Sequence, residues 1–310
     1  MSDIIKRGIS TDYHLRYFFV EVSDTIEQGR KIHQLKSLEE EYLFSSLTIA
    51  GLMIGADLKS DDESVTLKVT LNDNEQYLLV TGNRRGEIKG FPNFSIKSAD
   101  QGIESDHKNS NTKALANRIR PDLQDGFFTV IKDIGLKVPY NGTTKLITGE
   151  LARDITYYFT TSEQTPSSVG ISVIFNDDGS IKKGVGFIVQ ILPEATETTI
   201  ELLEQNLMNL PELSDLLEMG MSIEEIMEKI VLQGIEHETL AENPVKYHCD
   251  CSKDRFTKGL KLLGESDLRE LLESDELLKV QCHYCGSLYE FSRSEMGDML
   301  AELEGEKRDE

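Results

Sequence analysis

The stretches "KYHCDCSKDRF" (residues 246–256) and "VQCHYCGSLYEF" (residues 280–291) contain every cysteine of this 310-residue chain. The first stretch has the spacing C-x-C, the second has the spacing C-x-x-C, and 30 residues separate the two pairs. The four positions are Cys249, Cys251, Cys282 and Cys285. Because the first 248 residues contain no cysteine, this spacing is the most specific pattern in the sequence.

Paired cysteines at these spacings predict a metal site. Four thiolates fill the tetrahedral shell of one zinc ion, and a shell closed by four sulfurs is typical of a structural site rather than a catalytic one. Gly286, directly after Cys285, fits a turn in which the chain reverses and directs backbone N–H groups at the sulfurs. We therefore predict that one zinc ion is bound by Cys249, Cys251, Cys282 and Cys285.

Other interpretations of these residues stay open at the level of sequence. Four unrelated buried cysteines would rarely fall into such pairs. A thioredoxin-type C-x-x-C would do redox chemistry, but that motif belongs beside a β-α-β unit, and Cys282 has no such pattern around it. His248 and His283 each adjoin a cysteine, but with four sulfurs already present we expect neither to be a ligand.

Metal binding is expected to dominate the stability of this C-terminal region. A zinc site contributes roughly 10 to 16 kcal/mol in isolated zinc-finger peptides, whereas a domain of about 65 residues obtains only a few kcal/mol from its own core. The region should therefore unfold when the metal is lost. Cysteines this close in sequence can also form disulfides once the metal has gone, so oxidation competes with coordination and the four thiols form a redox switch.

Residues 1–193 carry strand and helix patterns that predict an α+β domain. The stretch 37–57 begins with Ser37 and, three residues later, Glu40, which is a capping-box pattern, and its apolar residues predict a mostly buried helix. The polar stretch 96–115 predicts a loop. Further strands are predicted at residues 13–22, 65–71, 77–81, 86–90, 127–134, 144–148, 168–175 and 185–192, and further helices at residues 25–35 and 149–161.

Residues 194–240 predict a linker of short amphipathic helices, broken at Pro211 and Gly220. Helices of under about 12 residues are marginal on their own, so this segment should stay folded only while a neighbouring surface supports it. Its methionines suit promiscuous apolar contacts, but in the reduced state we expect ordinary core packing from them, and the two roles can belong to different states. They are Met208, Met219, Met221 and Met227.

The composition predicts a soluble protein of a reducing compartment. Hydrophobic residues make up 38% and charged residues 28%, and the apolar runs fall short of the roughly 20 residues that a spanning helix needs. The first residues lack the pattern of a secretory signal, so we expect a cytosolic protein without standing disulfides. The net charge is −22, of which residues 196–310 carry −17, and such an acidic surface disfavours binding to a phosphate backbone.

The cysteine stretches resemble the C-terminal zinc signature of the Hsp33 family of redox-regulated chaperones, the 33 kDa chaperonins. The similar segments are "CDCSKDRF" (residues 249–256) and "CHYCGSLYEF" (residues 282–291). The stretch "YNGTTKLITGELARDITYYFTTSEQTPSSV" (residues 140–169) also resembles the strand, helix and S-E-Q-x-P turn of that family. The resemblance extends over nearly the whole chain, and the cysteine spacing is its most specific part.

The resemblance implies an ATP-independent holdase of the bacterial cytoplasm that is inactive while reduced and bound to one zinc ion. Oxidation together with heat would form two disulfides, release the zinc, unfold the linker and expose apolar surface that captures unfolding client proteins. The implied disulfides are Cys249–Cys251 and Cys282–Cys285, and the oxidised form is expected to be a homodimer. The implied regions are an α+β chaperone core (1–193), a helical linker (194–240) and a zinc-binding redox-switch domain (241–310).

Two functions from other classes stay open on the residues alone. A zinc-ribbon nucleic-acid-binding module needs a basic stripe, and the cations near the first cysteine pair are few against the acidic residues around them: Lys253, Arg255, Lys258 and Lys261. A C-x-x-C thiol-disulfide oxidoreductase would turn over a disulfide substrate, whereas a chaperone acts stoichiometrically. The sequence lacks the glycine-rich phosphate loops and the G-x-S-x-G motif, so we expect neither ATP use nor enzyme activity.

Overall fold

The fold is described by a computed structural model, in which the chain forms two compact units. The described residues are 3–35, 37–71, 76–93, 123, 125–274 and 277–306. The predicted loop at residues 96–115 lies outside them. One unit is Met1–His248 and the other is Cys249–Glu310, so the cysteine pairs both belong to the second unit.

The first unit contains two β-sheets with helices packed on them, in agreement with the predicted mixture of α and β structure. Its strands are β1 (Ile4–Ser10), β2 (Leu15–Val22), β3 (Ser64–Leu71), β4 (Gln76–Gly82), β5 (Glu87–Asn93), β6 (Phe127–Asp133), β7 (Tyr140–Lys145), β8 (Ser167–Phe175), β9 (Ile181–Ile191), β10 (His237–Pro244) and β11 (Lys246–Tyr247). Its helices are α1 (Asp24–His33), α2 (Leu38–Gly55), α3 (Leu151–Thr161), α4 (Glu197–Met208), α5 (Leu213–Glu218) and α6 (Ile223–Ile226), and a π-helical turn (Met227–Val231) continues α6.

Each sheet brings together strands from distant parts of the chain. The first sheet has the order β10-β1-β2-β9-β8 and the second has the order β11-β5-β4-β3-β6-β7. Neighbouring strands are antiparallel, except that β11 runs parallel to β5. The predicted Asp-Gly hairpin joins β8 to β9, where the N–H of Asn176 donates to the carbonyl of Ser180 at 2.8 Å and Gly179 has a φ of 80°.

Helix α2 forms the centre of the main core. It contacts strands of both sheets, namely β2, β8 and β9 of the first and β3, β4 and β5 of the second, and this is why it is buried almost along its whole length. The hydroxyl of Ser37 accepts a hydrogen bond from the N–H of Glu40 at 3.2 Å, as the capping pattern predicts. Among the described residues, no helix combines the length and the apolar composition that crossing a membrane requires.

Some elements differ from the sequence prediction. Strand β7 begins four residues before the predicted stretch 144–148, and strands β10 and β11 were not predicted at all. The sequence of β10, HETLAENP, is mostly exposed and poor in β-branched residues, and it becomes a strand because its backbone pairs with β1. Both strands complete sheets of the first unit, so residues 237–247 pack with that unit.

The predicted linker packs on one face of the first sheet. Its helices are interrupted near Pro211 and at Gly220, which has a φ of 91°, as the sequence predicts. Met227 is buried, whereas Met208 and Met219 are 85% and 78% exposed, so the methionines divide between core packing and solvent. The cluster under the helices joins apolar residues of the sheet to apolar residues of the linker: Leu15, Tyr17, Phe19, Phe187 and Val189 to Leu203, Leu216, Ile226 and Val231.

The second unit is small and combines a hairpin with three helices. Its elements are α7 (Lys253–Leu262), α8 (Glu265–Ser274), β12 (Leu277–Gln281), β13 (Leu288–Ser292) and α9 (Arg293–Glu306). Among its described residues the buried core consists of Leu260, Leu268, Phe291, Met296, Met299 and Leu300. A core of this size contributes little stability on its own.

Candidate metal centre

The four cysteines come together in the second unit. The first pair lies in the segment that enters α7, and the second pair lies in the turn between β12 and β13. Their four Sγ atoms all lie within 4.8 Å of one another. The Sγ atoms of Cys249 and Cys282 are 3.7 Å apart, and those of Cys251 and Cys285 are 3.3 Å apart. None of the four forms a disulfide.

The turn at the second pair is fixed by backbone hydrogen bonds. The N–H of Gly286 donates to the carbonyl of Cys282 at 2.8 Å, and the N–H of Cys282 donates to the carbonyl of Ser287 at 2.8 Å. Gly286 has a φ of 74°, a conformation that glycine adopts without strain. The backbone N–H groups of Tyr284 and Cys285 point at the sulfur of Cys282. This is the chain reversal that the position of Gly286 predicts.

The first pair is held by the start of α7. The hydroxyl of Ser252 accepts a hydrogen bond from the N–H of Arg255 at 3.2 Å and so caps this helix. The guanidinium of Arg255 in turn forms an ion pair with Asp250, the residue between the two cysteines. The capped helix end therefore fixes the chain direction at Cys251, and the backbone of Cys251 donates a hydrogen bond to the sulfur of Cys249.

The donor set fits a zinc ion. A tetrahedral ion with Zn–S bonds of about 2.3 Å places its sulfurs about 3.8 Å apart, close to the 3.7 Å between the sulfurs of Cys249 and Cys282. Four sulfurs with no carboxylate or imidazole among them also match the ligands of structural zinc rather than those of magnesium or calcium. His248 and His283 are exposed and lie outside the cluster of four sulfurs.

The thiols differ in acidity. Burial raises the pKa of Cys249 and that of Cys282. Burial acts in the same direction on Cys285, but hydrogen bonds from Ser287 and from the neighbouring thiols outweigh it and lower the pKa of Cys285 to about 7. Since the thiolate is the form that binds metal and reacts with oxidants, Cys285 is ionised more readily than Cys249 or Cys282 in the metal-free cluster.

Tyr289 is a member of the site that sequence reasoning missed. Its hydroxyl lies 3.1 Å from the sulfur of Cys251 and donates to the carbonyl of Cys251 at 3.0 Å. The hydrogen bond with Cys251 raises the pKa of Tyr289 to about 12, so the phenol stays a donor. The alternation in β13 places Tyr289 on the same face as the buried Phe291, but it does not reveal what the hydroxyl contacts.

A family of known proteins matches this chain over a range that includes the four cysteines. The family model described as Hsp33 protein matches residues 3–292. The chain belongs to the Hsp33 family. The match includes all four cysteines and extends over both compact units, so membership in the Hsp33 family is a property of nearly the whole chain.

Individual relatives agree with this Hsp33 assignment. The 33 kDa chaperonin of Clostridium perfringens strain 13 is 36% identical over 310 residues, which covers 100% of this chain and 94% of that protein. The 33 kDa chaperonin of Latilactobacillus sakei is 36% identical over 303 residues, with 97% and 100% coverage. The crystal structure of the 33 kDa chaperonin, a heat shock protein 33 homologue, from Thermotoga maritima matches with a TM-score of 0.79 and 25% identity over 100% of both chains. These relatives carry the name of a chaperonin rather than of an enzyme, which supports a chaperone function.

Proposed function

We propose that this protein is an ATP-independent holdase chaperone whose activity is switched on by oxidation. The observation that carries the proposal is the cluster of four thiols within 4.8 Å in a unit that has only a small core of its own. In the reduced state one zinc ion, bound by Cys249, Cys251, Cys282 and Cys285, would hold that unit folded. The chaperone activity in this proposal is supported by membership in a family whose relatives are named chaperonins.

Oxidation would remove the ligands on which metal binding depends. In each pair two thiolates lose two electrons to one molecule of hydrogen peroxide, two protons are taken up, and one disulfide and two water molecules form. We propose the pairs Cys249–Cys251 and Cys282–Cys285. This pairing is supported by the family resemblance and by the short sequence separation, whereas the 3.7 Å and 3.3 Å sulfur contacts join members of different pairs, so peptide mapping of the oxidised protein is its direct test.

Unfolding of the linker would provide the surface that captures clients. The linker helices cover an apolar face of the first sheet that includes Tyr17, Phe19 and Phe187. Each helix has 12 residues or fewer, so it depends on this packing. Strand β11, which leads into the first cysteine pair, is short and forms two residue pairs with β5. Loss of structure after residue 248 is therefore expected to spread toward the linker.

The cellular setting follows from the same chemistry. Four thiols that bind metal require a reducing compartment, and the similar chaperonins are bacterial, so we place the protein in the cytoplasm of a bacterium. Its partners are unfolded client proteins, which it binds through apolar contacts, and it forms a homodimer once oxidised. The acidic surface, with a net charge of −22, makes nucleic acid an unfavourable partner.

The experiment is a paired measurement of zinc release and aggregation. Reduced protein should contain one zinc per chain and should leave a heat-unfolded client free to aggregate. Peroxide at elevated temperature should release the zinc and make the same protein protective at stoichiometric amounts. Equal protection by the reduced, metal-loaded protein would contradict the proposal, and steady turnover of a disulfide substrate would favour an oxidoreductase instead.

Two variants of the second turn make this experiment specific. Cys282→Ser removes a buried ligand, so the purified protein should contain no zinc and its second unit should be unfolded without any oxidant. Ser287→Ala removes only the hydroxyl beside Cys285, 3.2 Å from its sulfur, and should keep one zinc per chain and a folded second unit, because all four sulfur ligands remain. If Cys282→Ser retained zinc with unchanged affinity, the four-sulfur ligand set would be wrong.

A further inference from the structure

Strand β8 lies at the edge of the first sheet, and among the described residues its outer side has no partner strand. It is the last member of the order β10-β1-β2-β9-β8, and within the described part of the chain it pairs with β9. The part of the chain that the structure describes supplies no backbone hydrogen bond to the other side of residues 167–175. A row of backbone N–H and C=O groups is therefore available along this edge, which is the arrangement that a further extended chain recognises.

A cavity runs along this edge. It has a volume of about 430 Å³, and its wall includes every residue from 168 to 173. Successive residues of a strand point to opposite faces of a sheet, so a cavity that touches six consecutive residues must follow the edge rather than one face. Six residues of strand span roughly 20 Å, which is enough for an added segment of five or six residues.

Helix α2 contributes a polar group without a partner among the described residues to the wall of the cavity. Ser46 of α2 lines the cavity and is only 1% exposed, and its hydroxyl has no hydrogen-bond partner among the described residues. A buried hydroxyl without a partner is costly, and a carbonyl or amide of a bound chain would satisfy it. Thr48, on the same helix, also has a buried hydroxyl without a partner but does not line the cavity.

We propose that the outer edge of β8 binds an extended segment of an unfolded client as an added strand, with Ser46 hydrogen-bonding to its backbone. The inference rests on the proposed chaperone function and assigns a site to it. The charged residues lining the cavity are Glu150, Arg153 and Glu212, of which Glu150 and Arg153 form an ion pair at 2.7 Å. Since one negative charge is left over, the site favours a neutral or basic segment over an acidic one.

The linker forms one wall of the same site. Residues 210–214, which are the turn between α4 and α5 and the first two residues of α5, line the cavity, so the linker limits access to the edge of β8 while it is folded. Unfolding of the linker opens this wall and leaves β8 in place, because β8 is held by β9 along its whole length. The edge is thus available to clients in the oxidised state and restricted in the reduced state.

Hydrogen exchange of the oxidised full-length protein tests the site. The probe is a ten-residue peptide of alternating valine and threonine with a lysine at each end. The control peptide has the same sequence but carries N-methyl groups on four consecutive central residues. These methyl groups remove backbone hydrogen-bond donors from both edges of the control peptide. The first peptide should protect amides of residues 167–175, and the N-methylated one should not. Strand β7, the exposed edge of the second sheet, is the internal control and should gain no protection.

Variants identify the contribution of the cavity wall. Ser46→Ala should weaken binding of the first peptide about three- to tenfold, the loss expected for one hydrogen bond, whereas Thr48→Val removes a buried hydroxyl elsewhere on α2 and should leave binding unchanged. Replacing both lysines of the probe by glutamates should weaken binding to the parent protein.

The outcomes separate this proposal from the proposed function. Equal binding of the two peptides, or equal protection of β7 and β8, would overturn the β8 site. If the same oxidised sample also suppresses client aggregation, the holdase function stands without that site. If it suppresses no aggregation, the proposed function fails, and with it the inference that depends on it.

Discussion

At the scale of single residues, His33 is a base held neutral inside the first unit. Its Nε2 lies 3.0 Å from the hydroxyl of Tyr247, and its ring lies 5.4 Å from that of Phe44. Burial lowers the pKa of His33 from 6.5 to about 4, against a weaker opposing effect of its hydrogen bond with the backbone of Gly90. Protonation of this ring therefore opposes folding.

The first prediction concerns acid. Above pH 6.5 the imidazole is neutral in both the folded and the unfolded chain, so it has no effect on the pH dependence of stability. As the pH falls from 6.5 to about 4, the unfolded chain binds a proton that the folded chain does not, and the free energy of unfolding of the first unit should fall by up to about 3 kcal/mol. Urea unfolding at several pH values measures this loss.

The variant His33→Gln provides the comparison for this measurement. It removes the titrating ring but keeps an amide that can reach the hydroxyl of Tyr247, so stability at pH 7 should drop modestly and its slope between pH 6.5 and 4 should become flatter. A slope as steep in His33→Gln as in the parent protein would assign the acid sensitivity to other groups.

Residues whose role depends on their immediate neighbours in sequence were predictable. The cysteine spacing, the turn at Gly286 and the cap at Ser37 are local patterns, and the structure bears out their geometry. Tyr289 was not predicted because its role comes from contacts with Cys251, which is 38 residues away in the sequence. Asp154 was also not predicted, although its partners are close in sequence: it is fully buried, and its carboxylate accepts hydrogen bonds from the N–H groups of Ile147, Thr148 and Gly149 at 2.8 to 3.0 Å.

At the scale of elements, the π-helical turn at the end of the linker is hydrogen-bonded to a side chain of the first linker helix. The N–H of Leu232 reaches back five residues to the carbonyl of Met227 at 2.7 Å, which leaves later carbonyls without helical partners. The amide of Asn206 on α4 donates to the carbonyls of Val231 and Gln233 at 3.1 and 2.9 Å. This side chain therefore ties the first linker helix to the last.

The second prediction follows from this tie. Asn206→Ala should lower the free energy of local opening of the linker by about 1 to 2 kcal/mol, since a buried carbonyl loses its donor. Hydrogen exchange of residues 213–232 should be about 5- to 30-fold faster in the reduced protein, while the amides of β2 and β9 stay unchanged. Activation should then need less oxidant or less heat.

Asn209→Ala is the matched control for this change. Asn209 also lies at the end of α4, but its amide donates only to the carbonyl of Gln205 in the preceding turn, at 2.8 Å. Its removal leaves the contact between α4 and the π-helical turn intact. Equal exchange rates in the two variants would show that the linker is held by its apolar packing alone.

Elements were predictable where the chain carries its own signal. The linker helices are interrupted near Pro211 and at Gly220, the positions that the sequence predicts. The capping box at Ser222 and Glu225 is also a local pattern, but it was not predicted. Strand β10 carries no such signal, because an acidic and mostly exposed segment extends only where β1 offers unpaired backbone groups. The π-helical turn is likewise set by its partner on α4.

At the scale of the whole molecule, the two units differ in what stabilises them. The first has a core formed by α2 between strands of both sheets, with many side chains fully buried. Among the described residues of the second unit, the buried core amounts to six side chains. The second unit also lies in the acidic part of the chain, where residues 196–310 carry −17, so self-repulsion lowers its stability further.

The third prediction is that metal removal unfolds only part of the chain. A strong chelator with reductant present should leave the thiols reduced and take away the roughly 10 to 16 kcal/mol that a four-cysteine zinc site supplies in zinc-finger peptides. Amides after residue 249 should then exchange at the rate of an unfolded chain, while those of β2 and β9 remain protected. Added zinc should restore protection, since no disulfide has formed.

The hydrogen exchange of the linker amides after chelation shows whether loss of the metal is enough for activation. If its helices depend on the folded state of the second unit, chelation alone should raise exchange at residues 197–231 and give partial protection of a client in the absence of any oxidant. Protected linker amides after metal removal would instead mean that disulfide formation, and not loss of the metal, is the event that releases the linker. The apolar cluster that packs the linker consists of residues of the first unit. The change in the exchange rate of the linker amides on metal removal therefore measures how much the stability of the linker depends on folding of the second unit.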